Sequence, residues 1–308
     1  MVFFTRHMGN APSVSVVLLN WNGLADTREC LHSLQAARYP AMRVIVVDNG
    51  SRDDEASALE REFSAFIDLQ RLPENRGFAA GANVGIRRAL EAGTDYVLLL
   101  NNDTVVAPEF LRALVDAASD IPNLAAVCPR THFYDRPRMI YSTGGEVSLW
   151  RGVATQVGRG QDDCGQFERL ERRGYADGVC MLIPAPALAS VGLLDEQYFA
   201  YWEETDWCVR AAERGLHCYY VPQSHIWHKA ARSQSPDAQF DYLYRRNALL
   251  FVRKRGTPLQ AVTAFLMHAF VYAPLYIVRN PTRLARIVPA LRALIWHTRN
   301  QPRERPLT

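Results

Sequence analysis

The sequence predicts an α/β protein built on a doubly wound, mainly parallel β-sheet. From Val14 onward, short apolar runs rich in valine, isoleucine and leucine alternate with amphipathic segments of helical length. Continuous apolar strands between helices are typical of parallel sheets that helices cover on both faces. A chain of 308 residues with 48% hydrophobic residues can also bury a large core.

Five runs in the first half of the chain are predicted strands, and a helical segment follows each of the first four. Doubly wound sheets bind ligands at the carboxyl ends of their strands. The residues that end these strands are therefore the first candidates for a site. The five runs are VSVVLLN (14–20), RVIVVD (43–48), IDLQRL (67–72), DYVLLLN (95–101) and LAAVCP (124–129).

The second half is less regular. Glycine, tyrosine and arginine are frequent from about residue 130 to 180, where short strands and loops are expected. From Phe240 onward the chain has a helical pattern, broken near Pro258 and Pro281. Between these regions the pattern predicts a strand at 178–184, helices at 185–191 and 204–214, and a strand at 217–222.

The net charge of +3 conceals a strong asymmetry. Residues 245–308 carry twelve Arg or Lys and one acid, for a net charge of +11, which leaves about −8 on residues 1–244. A basic segment suits nucleic acid or an anionic membrane surface. The nearly uncharged run at 258–278 favours the membrane and argues against nucleic acid.

Three residues in that run, Gln260, His268 and Pro274, weaken the prediction of a spanning helix. A helix lying in the membrane interface fits better, and a soluble helical subdomain or an oligomer interface is the alternative. Six scattered cysteines without a CxxC pair argue against a disulfide scaffold or a zinc site and favour a cytoplasmic protein. The first twelve residues are expected to be a flexible tail.

Polar side chains end three of the predicted strands. Asn20 and Asn22 follow the first strand, Asp48 ends the second, and Asn101-Asn102-Asp103 ends the fourth. Turn chemistry explains any one of these clusters. It does not require an acid at the same end of two strands, so together they indicate a site on one rim of the sheet.

A glycine-rich stretch, ENRGFAAGANVG, occupies residues 74–85. Small residues at the start of a helix let backbone N–H groups approach a phosphate. Tight packing of the helix is the alternative. The glycines are spaced GxxxGxxxG, so the dinucleotide fingerprint GxGxxG is absent, which argues against a nucleotide-dependent oxidoreductase.

A second acidic cluster, WEETDW, covers residues 202–207. Acids favour a helix start, which is the structural explanation. The flanking tryptophans can instead shield a carboxylate, raise its pKa and make it a general base. About twenty residues later, His228 follows a predicted strand, and with Asp103 it would form a mixed nitrogen and oxygen site for Mg²⁺ or Mn²⁺.

Taken together, these motifs resemble the family 2 glycosyltransferases of the GT-A fold. The resemblance covers about residues 13–255 and is closest to bacterial rhamnosyltransferases and galactofuranosyltransferases. It implies a GT-A domain at 13–238, with a nucleotide-binding half (13–129) and an acceptor half (130–238), followed by a membrane-associating helical region at 239–308. The motifs that carry it are VSVVLLNWNG, VIVVDNGSRD, ENRGFAAGANVGI, LLLNNDTVV, ADGVCMLIP, EETDWCVR and IWH.

The resemblance also implies roles for individual residues. Asp103 and His228 would hold the divalent cation, and Glu204 would be the base, with Glu203 and Asp206 as alternatives. Asp177, Gly178 and Trp202 would border the acceptor. Donor-binding residues would be Asn20, Asn22, Asp48, Asn75, Arg76, Gly77, Asn83, Asn101 and Asn102.

Two positions depart from the family pattern. Asn101 replaces the first acid of the DxD motif, so the cation would depend on Asp103 and His228. The usual Glu-Asp-x-Asp block reads Glu203-Glu204-Thr205-Asp206, which gives the presumed base a longer side chain and leaves the choice among the three acids open.

The implied activity is inverting, metal-dependent transfer of a sugar, with rhamnose from dTDP-rhamnose as the favoured donor. The acceptor would be a hydroxyl of a glycan or of a lipid-diphosphate-linked sugar in cell-surface polysaccharide synthesis. The enzyme would act at the cytoplasmic face of the inner membrane. The sequence does not decide whether it forms a homo-oligomer. The alternatives are a non-catalytic binding protein on the same scaffold and, less favoured, the oxidoreductase.

Overall fold

The computed structural model describes residues 11–230, 238–275 and 287–299. The N-terminal tail is therefore largely outside the described residues, as is part of the basic C-terminal region. The strands are β1 (Val14–Asn20), β2 (Met42–Asn49), β3 (Ile67–Leu72), β4 (Tyr96–Asn101), β5 (Thr104–Val106), β6 (Leu124–Phe133), β7 (Ile140–Ser142), β8 (Gly145–Ser148), β9 (Val153–Gln156), β10 (Glu171–Arg173), β11 (Cys180–Pro184) and β12 (His217–His228).

Helices cover the sheet and extend beyond it at the C-terminal side. A 3₁₀ turn at Glu196–Tyr198 precedes α6, and a π-helical turn at His268–Tyr272 continues α8. The helices are α1 (Leu24–Gln35), α2 (Glu55–Phe63), α3 (Gly77–Glu91), α4 (Phe110–Asp120), α5 (Ala185–Val191), α6 (Glu203–Ala212), α7 (Ala238–Arg255), α8 (Pro258–Met267) and α9 (Ile287–Arg299).

The central sheet has the strand order β10-β12-β6-β11-β4-β1-β2-β3. The four strands from β4 to β3 are parallel, as predicted, while β11 runs antiparallel to both β4 and β6. The fifth apolar run of the first half, β6, is thus separated from β4 by a strand from the second half of the chain. The two predicted halves share one sheet.

Alternate residues of the strands feed two hydrophobic cores, one on each face of the sheet. In β1, Leu18 points into one core and Val17 into the other. The glycines of α3 bring this helix close to the sheet, since a Cβ on Gly85 would come 2.3 Å from Val17 Cγ1 and one on Gly81 would come 2.5 Å from Leu19 Cδ1. At these two positions the packing explanation of the glycine spacing holds.

A third core joins the C-terminal helices to the rest of the molecule. It contains Tyr198 and Trp202, which lie just before α6, together with Phe251 of α7 and Ala264 of α8. The side-chain amide of Asn247 strengthens this contact, because it donates to the carbonyl oxygens at Tyr198, Ala200 and Tyr201. The helical region after residue 238 therefore packs against the end of the sheet that carries α6.

Apolar side chains are exposed on both α8 and α9. They include Phe270 on the π-helical continuation of α8, which is 72% exposed, and Leu291 on α9. By length and composition, the helix from Pro258 to Leu275 could cross a membrane, and 11% of it is buried in the fold. The exposed apolar residues are Leu259, Val262, Leu266, Phe270, Leu275, Val288, Leu291 and Ile295.

Candidate active site

The first part of the site lies where β1 and β2 end. Their parallel register places Asn20 beside Asp48, and the Asn20 amide donates to Asp48 Oδ1 over 2.9 Å. The Thr27 hydroxyl donates to Asn20 Oδ1, and the backbone N–H of Ser51 donates to Asp48 Oδ2. Both predicted residues are buried and held by the protein, so their positions are set before any ligand arrives.

The turn after β1 is anchored to the turn after β2. The backbone N–H of Asn22 donates to the Ser51 hydroxyl, and Asn22 Oδ1 accepts from the backbone N–H of Arg52. Asn22 adopts a positive φ of 51°, which asparagine tolerates better than most residues. The turns after β1 and β2 are thus joined by hydrogen bonds and form one wall of the site, at the rim of the sheet where the sequence predicted it.

The predicted loop of Asn75, Arg76 and Gly77 lies next to that wall. Asn49, which the sequence analysis did not select, organises it by donating to Asn75 Oδ1 and accepting from the backbone N–H of Arg76. Gly77 has a φ of 84°, and a Cβ there would come 2.5 Å from the carbonyl oxygen of Phe199. Glycine is therefore required at this turn.

Asn83 was predicted to bind the donor, but in the structure its side chain is hydrogen-bonded to the loop before α6. Its amide nitrogen donates to the Leu194 carbonyl and to Glu196 Oε1, and its oxygen accepts from the backbone N–H of Leu194. The side chain is 1% exposed. Asn83 is consequently a buried tether for the loop before α6, because its hydrogen-bonding groups are used by the protein.

The end of β4 brings Asn101, Asn102 and Asp103 to the same rim. Asn102 donates to the Thr27 hydroxyl over 2.8 Å, which joins this cluster to Asn20 through one shared threonine. Asn101 is half-buried at the last position of β4, and its backbone N–H donates to the Val179 carbonyl. Asn101 and Asn102 are therefore near the predicted donor pocket.

Asp103 and His228 are adjacent, as predicted. Antiparallel pairing of β5 with β12 places His228 opposite Thr104, and His228 Nε2 lies 3.1 Å from Asp103 Oδ1. Both side chains are buried. The Tyr141 ring meets His228 edge to face at a centroid distance of 4.6 Å, which fixes the plane of the imidazole.

The pair fits a divalent cation. Two ligands on neighbouring corners of an octahedron with bonds of about 2.1 Å lie about 3 Å apart, close to the observed separation. His228 Nδ1, which would carry the imidazole proton when Nε2 binds a cation, is buried and has no hydrogen-bond partner in the described part of the chain. Among the described residues, no group of three His, Cys, Asp or Glu surrounds a common point, so a cation here needs further ligands besides Asp103 and His228.

The three acids of α6 have three different environments. Glu204, the second residue of the helix, is half-buried, and burial followed by the charge of Asp177 raises its pKa to about 7. Glu203 is 5% exposed, and burial followed by the charge of Glu204 raises its pKa well above the usual range. Only Glu204 therefore combines solvent access with a pKa near neutrality.

Asp206 was an alternative base, and the structure shows it as a structural acid. It is fully buried, and Oδ1 accepts from the Tyr198 hydroxyl and from Arg255 Nε, while Oδ2 accepts from Arg210 Nε. Two guanidinium groups neutralise it and tie α6 to the end of α7. A carboxylate held in this way is not available to take a proton from a substrate.

The predicted acceptor residues divide into two groups. Asp177 and Gly178 lie beside Glu204, and Asp177 also accepts from the Gln156 amide over 2.6 Å. Trp202 does not reach the site surface, because it is 3% exposed and packs on Phe251 in the third core. The assignment of Trp202 to the acceptor is therefore corrected to a packing role.

Four further residues complete the surroundings of Glu204 and His228. Tyr141 contacts His228, Gln156 contacts Asp177, and Arg159 lies over the Tyr141 ring. Burial, followed by the charge of Glu204, raises the pKa of Tyr244 in α7. Three of the four come from the irregular stretch between residues 130 and 180. That stretch offered no periodicity from which to select them.

Comparisons with known proteins bear directly on this arrangement. The family profile described as Glycosyl transferase family 2 matches residues 15–178. An N-acetylglucosaminyl-diphospho-decaprenol L-rhamnosyltransferase from Mycobacterium tuberculosis (strain H37Rv) is 30% identical over 255 residues, which cover 72% of this chain and 78% of that protein. The chain belongs to glycosyl transferase family 2.

Other relatives agree with this membership. The dTDP-rhamnosyl transferase RfbF of Shigella flexneri is 23% identical over 256 residues. The match covers 78% of this chain and 81% of RfbF. Among solved structures, the mannosyltransferase PcManGT from Pyrobaculum calidifontis, in complex with GDP-Man and Mn²⁺, superposes with a TM-score of 0.57 at 16% identity, covering 96% of this chain and 80% of the other. The chain is a glycosyltransferase with the GT-A fold, as its motifs predicted.

Proposed function

We propose that this enzyme transfers a sugar, with inversion, from a nucleotide diphosphate sugar to an acceptor hydroxyl, and that Glu204 is its general base. The observation that carries the proposal is the environment of Glu204. The residue is partly exposed, and its pKa of about 7 lies close to the working pH of a cytoplasmic enzyme. General bases are most effective when their pKa is near that pH.

Glu204 is also directed by its neighbours. The backbone N–H groups of Glu204 and Thr205 and the Thr205 hydroxyl act on the carboxylate at the start of α6 and favour its ionised form. Asp177 and burial act in the opposite direction. The balance leaves a carboxylate that can accept a proton from an acceptor hydroxyl as that oxygen attacks the sugar, and that can release the proton afterwards.

Asp103 and His228 are the residues that would hold a divalent cation. A bound Mg²⁺ or Mn²⁺ would neutralise the charge that develops on the departing nucleoside diphosphate. The protein's own contribution is to keep one carboxylate oxygen and one imidazole nitrogen 3.1 Å apart in a buried setting. Tyr141 limits rotation of the imidazole, so the two ligand atoms stay aligned.

The donor pocket in this proposal extends from Asp48 to Asn102. Asp48 lies at the end of β2, where a base or ribose can meet its carboxylate, and the buried amide of Asn20 at the end of β1 holds that carboxylate in place. Asn22, Asn75, Arg76 and Gly77 form the adjoining turns, and Asn101 and Asn102 lead from the pocket to the cation ligands. A nucleotide bound along this rim would place its diphosphate near Asp103.

The names of the relatives support a choice of substrates. Both the mycobacterial and the Shigella relative are rhamnosyltransferases, and the second is named for dTDP-rhamnose. We therefore assign rhamnose from dTDP-rhamnose as the donor sugar. The name of the mycobacterial protein specifies a diphosphate-linked lipid acceptor, so a lipid-diphosphate-linked glycan in cell-surface polysaccharide synthesis is the assigned acceptor.

An acceptor of this kind requires access to a membrane, and the C-terminal helices support that access. Their exposed apolar side chains include Leu266 and Phe270 of the α8 segment and Leu291 of α9, and Arg292, which follows Leu291 in the sequence, is also exposed. An amphipathic helix with basic residues at its border binds anionic bilayers from one side. This supports peripheral attachment at the cytoplasmic face of the inner membrane.

The test measures turnover of a panel of nucleotide sugars with Mg²⁺ or Mn²⁺ and a lipid-diphosphate-linked N-acetylglucosamine acceptor. Wild type should release nucleoside diphosphate and form product with dTDP-rhamnose, and Glu204→Gln should lose 10²- to 10⁴-fold in kcat. Glu213→Gln, an exposed acid at the end of the same helix, should retain activity. Near-normal turnover by Glu204→Gln would exclude this base, and binding of nucleotide sugars without any transfer would favour the non-catalytic alternative.

A further inference from the structure

A second basic feature lies beside the cation ligands. It consists of Arg136 and Arg159 with the aromatic rings of Phe133 and Tyr141. The Arg136 guanidinium carbon is 4.7 Å from the centroid of the Phe133 ring, and the Arg159 carbon is 5.4 Å from the same centroid and 4.3 Å from that of Tyr141. We call these four residues the arginine patch.

The two arginines are close together and weakly compensated. Their contacts with one ring keep the guanidinium carbons within about 10 Å of each other, roughly one Debye length at 0.1 M salt. In the described part of the chain Arg159 forms no ion pair, and the ion pair found for Arg136 is a long one, 3.9 Å to the neighbouring Asp135. Like charges at this separation repel, and an anion that contacts both guanidinium groups would offset that repulsion.

The arginine patch is connected through side-chain contacts both to the proposed cation ligand His228 and to Asp177 beside the proposed base Glu204. The Tyr141 ring that supports Arg159 also contacts His228, and His228 pairs with Phe133 in the sheet. Arg159 donates to Gln156, whose amide donates to Asp177 beside Glu204. An anion held by the patch would therefore lie next to the space between the cation ligands and the base, where the two substrates meet.

The chemistry of the patch selects the anion. Guanidinium groups bind phosphate oxygens through paired N–H donors, and stacking on aromatic rings holds their planes in place. Two such groups suit an extended, doubly charged anion better than one carboxylate.

We propose that Arg136 and Arg159 form a diphosphate-binding site separate from Asp103 and His228. The choice of diphosphate rests on the proposed function, in which both donor and acceptor carry that group.

The first experiment needs no catalysis. Binding of inorganic pyrophosphate to the full chain is measured by calorimetry in EDTA, so that no cation can hold the anion at Asp103. Wild type should bind, and Arg159→Gln and Arg136→Gln should each weaken binding at least tenfold. Arg138→Gln, which removes an exposed arginine from the same loop, should stay within twofold. No binding by wild type, or equal binding by all four proteins, would overturn the site.

The second experiment identifies the source of the diphosphate. Michaelis constants are measured for the nucleotide sugar and for the lipid-diphosphate-linked acceptor in Arg136→Gln and Arg159→Gln. A raised KM for the acceptor alone assigns the site to the acceptor, and a raised KM for the donor alone assigns it to the donor. If no sugar is transferred by any protein while pyrophosphate binding is still lost in the variants, the proposed function fails and the anion site stands. Thermal unfolding of each variant checks that the fold is intact.

Discussion

Gly178 leaves the space that the side chain of Glu204 occupies. A Cβ on Gly178 would come 3.0 Å from Glu204 Cγ and 3.3 Å from its Cδ, closer than ordinary van der Waals contact. The carboxylate is therefore supported from one side by backbone without a side chain. The glycine in the ADGVC motif is thus explained by the shape of the site.

Gly178→Ala should lower kcat about tenfold, because a displaced base no longer meets the acceptor hydroxyl and small misplacements at reacting groups are costly. Steady-state kinetics measure the effect. Gly174→Ala, which would meet Glu146 at 3.0 Å, is the matched control and should keep its kcat. Equal losses in both variants would show that the effect is a general disturbance of the fold.

The pH dependence of kcat/KM should report Glu204. The base must be ionised, and with a pKa of about 7 the rate should fall about tenfold per pH unit below that value. Asp177→Asn keeps an acceptor oxygen but removes the charge that helps to raise this pKa, so the inflection should move to lower pH. A wild-type inflection near 4.5, or one unchanged in Asp177→Asn, would contradict the assignment.

Glu203 should make the fold less stable as the pH rises. The unfolded chain releases this proton near 4.5, whereas the folded chain retains it because the side chain is buried. Between these two pKa values stability falls by up to about 1.4 kcal/mol per pH unit from this group. In urea titrations, the stability of Glu203→Gln relative to wild type should therefore increase as the pH rises from 4.5 toward neutrality. A constant difference across that range would argue against a protonated Glu203.

Removing Asp103 or His228, the proposed cation ligands, should abolish the metal dependence of nucleotide binding. In wild type, Mn²⁺ should tighten binding of dTDP compared with EDTA. In Asp103→Asn and His228→Ala that gain should drop at least tenfold, because the loss of even a supporting group at a metal site typically costs 10- to 100-fold. Calorimetry gives both dissociation constants without turnover. Asp116→Asn on the exposed face of α4 should behave like wild type, and retention of the full Mn²⁺ effect in the ligand variants would exclude the site.

Membrane attachment should depend on the exposed face of α8 and its continuation. Burying a large apolar side chain contributes about 1.5–3 kcal/mol, so Leu266→Ser with Phe270→Ser should weaken binding to anionic vesicles more than tenfold. Sedimentation with vesicles containing phosphatidylglycerol measures this. Leu170→Ser is the control, since Leu170 and Leu266 are both 47% exposed. Equal binding by all variants would exclude this face as the attachment surface.

The sequence predicted the parts of the fold in which periodicity is strong. The bounds of β1 and β3 are the predicted ones, because each is a compact run ended by turn residues. β12 was predicted to stop at Pro222 but continues to His228, because the strand takes a register shift between Val221 and His225 that accommodates the proline. The position of β11 between β4 and β6 was not predictable, since an apolar run indicates burial and does not identify its neighbours.

The same division applies to the site. Asp48, Asp103 and His228 were selected as candidates because each lies at or just beyond a strand end, and Glu204 because acids cluster at a helix start. Arg159 and Gln156 come from short segments without a pattern, and only the folded chain brings them to His228 and Asp177. Asn83 and Asp206 were selected by motif, but their burial and partners, which decide their roles, depend on tertiary contacts.

The contact between α8 and the β8–β9 hairpin limits how this enzyme can be recombined with its relatives. His268 Nε2 lies 2.9 Å from the Gly152 carbonyl oxygen, and Arg151 donates to the Tyr272 hydroxyl, so the hairpin that ends in Gln156 is fastened to the helix with the exposed apolar face. The C-terminal region is consequently not an exchangeable module. A chimera that takes a relative's C-terminal helices would need that relative's hairpin as well. Otherwise the contacts between helix and hairpin would not match, and the hairpin residue Gln156, which is hydrogen-bonded to Asp177, would be disturbed.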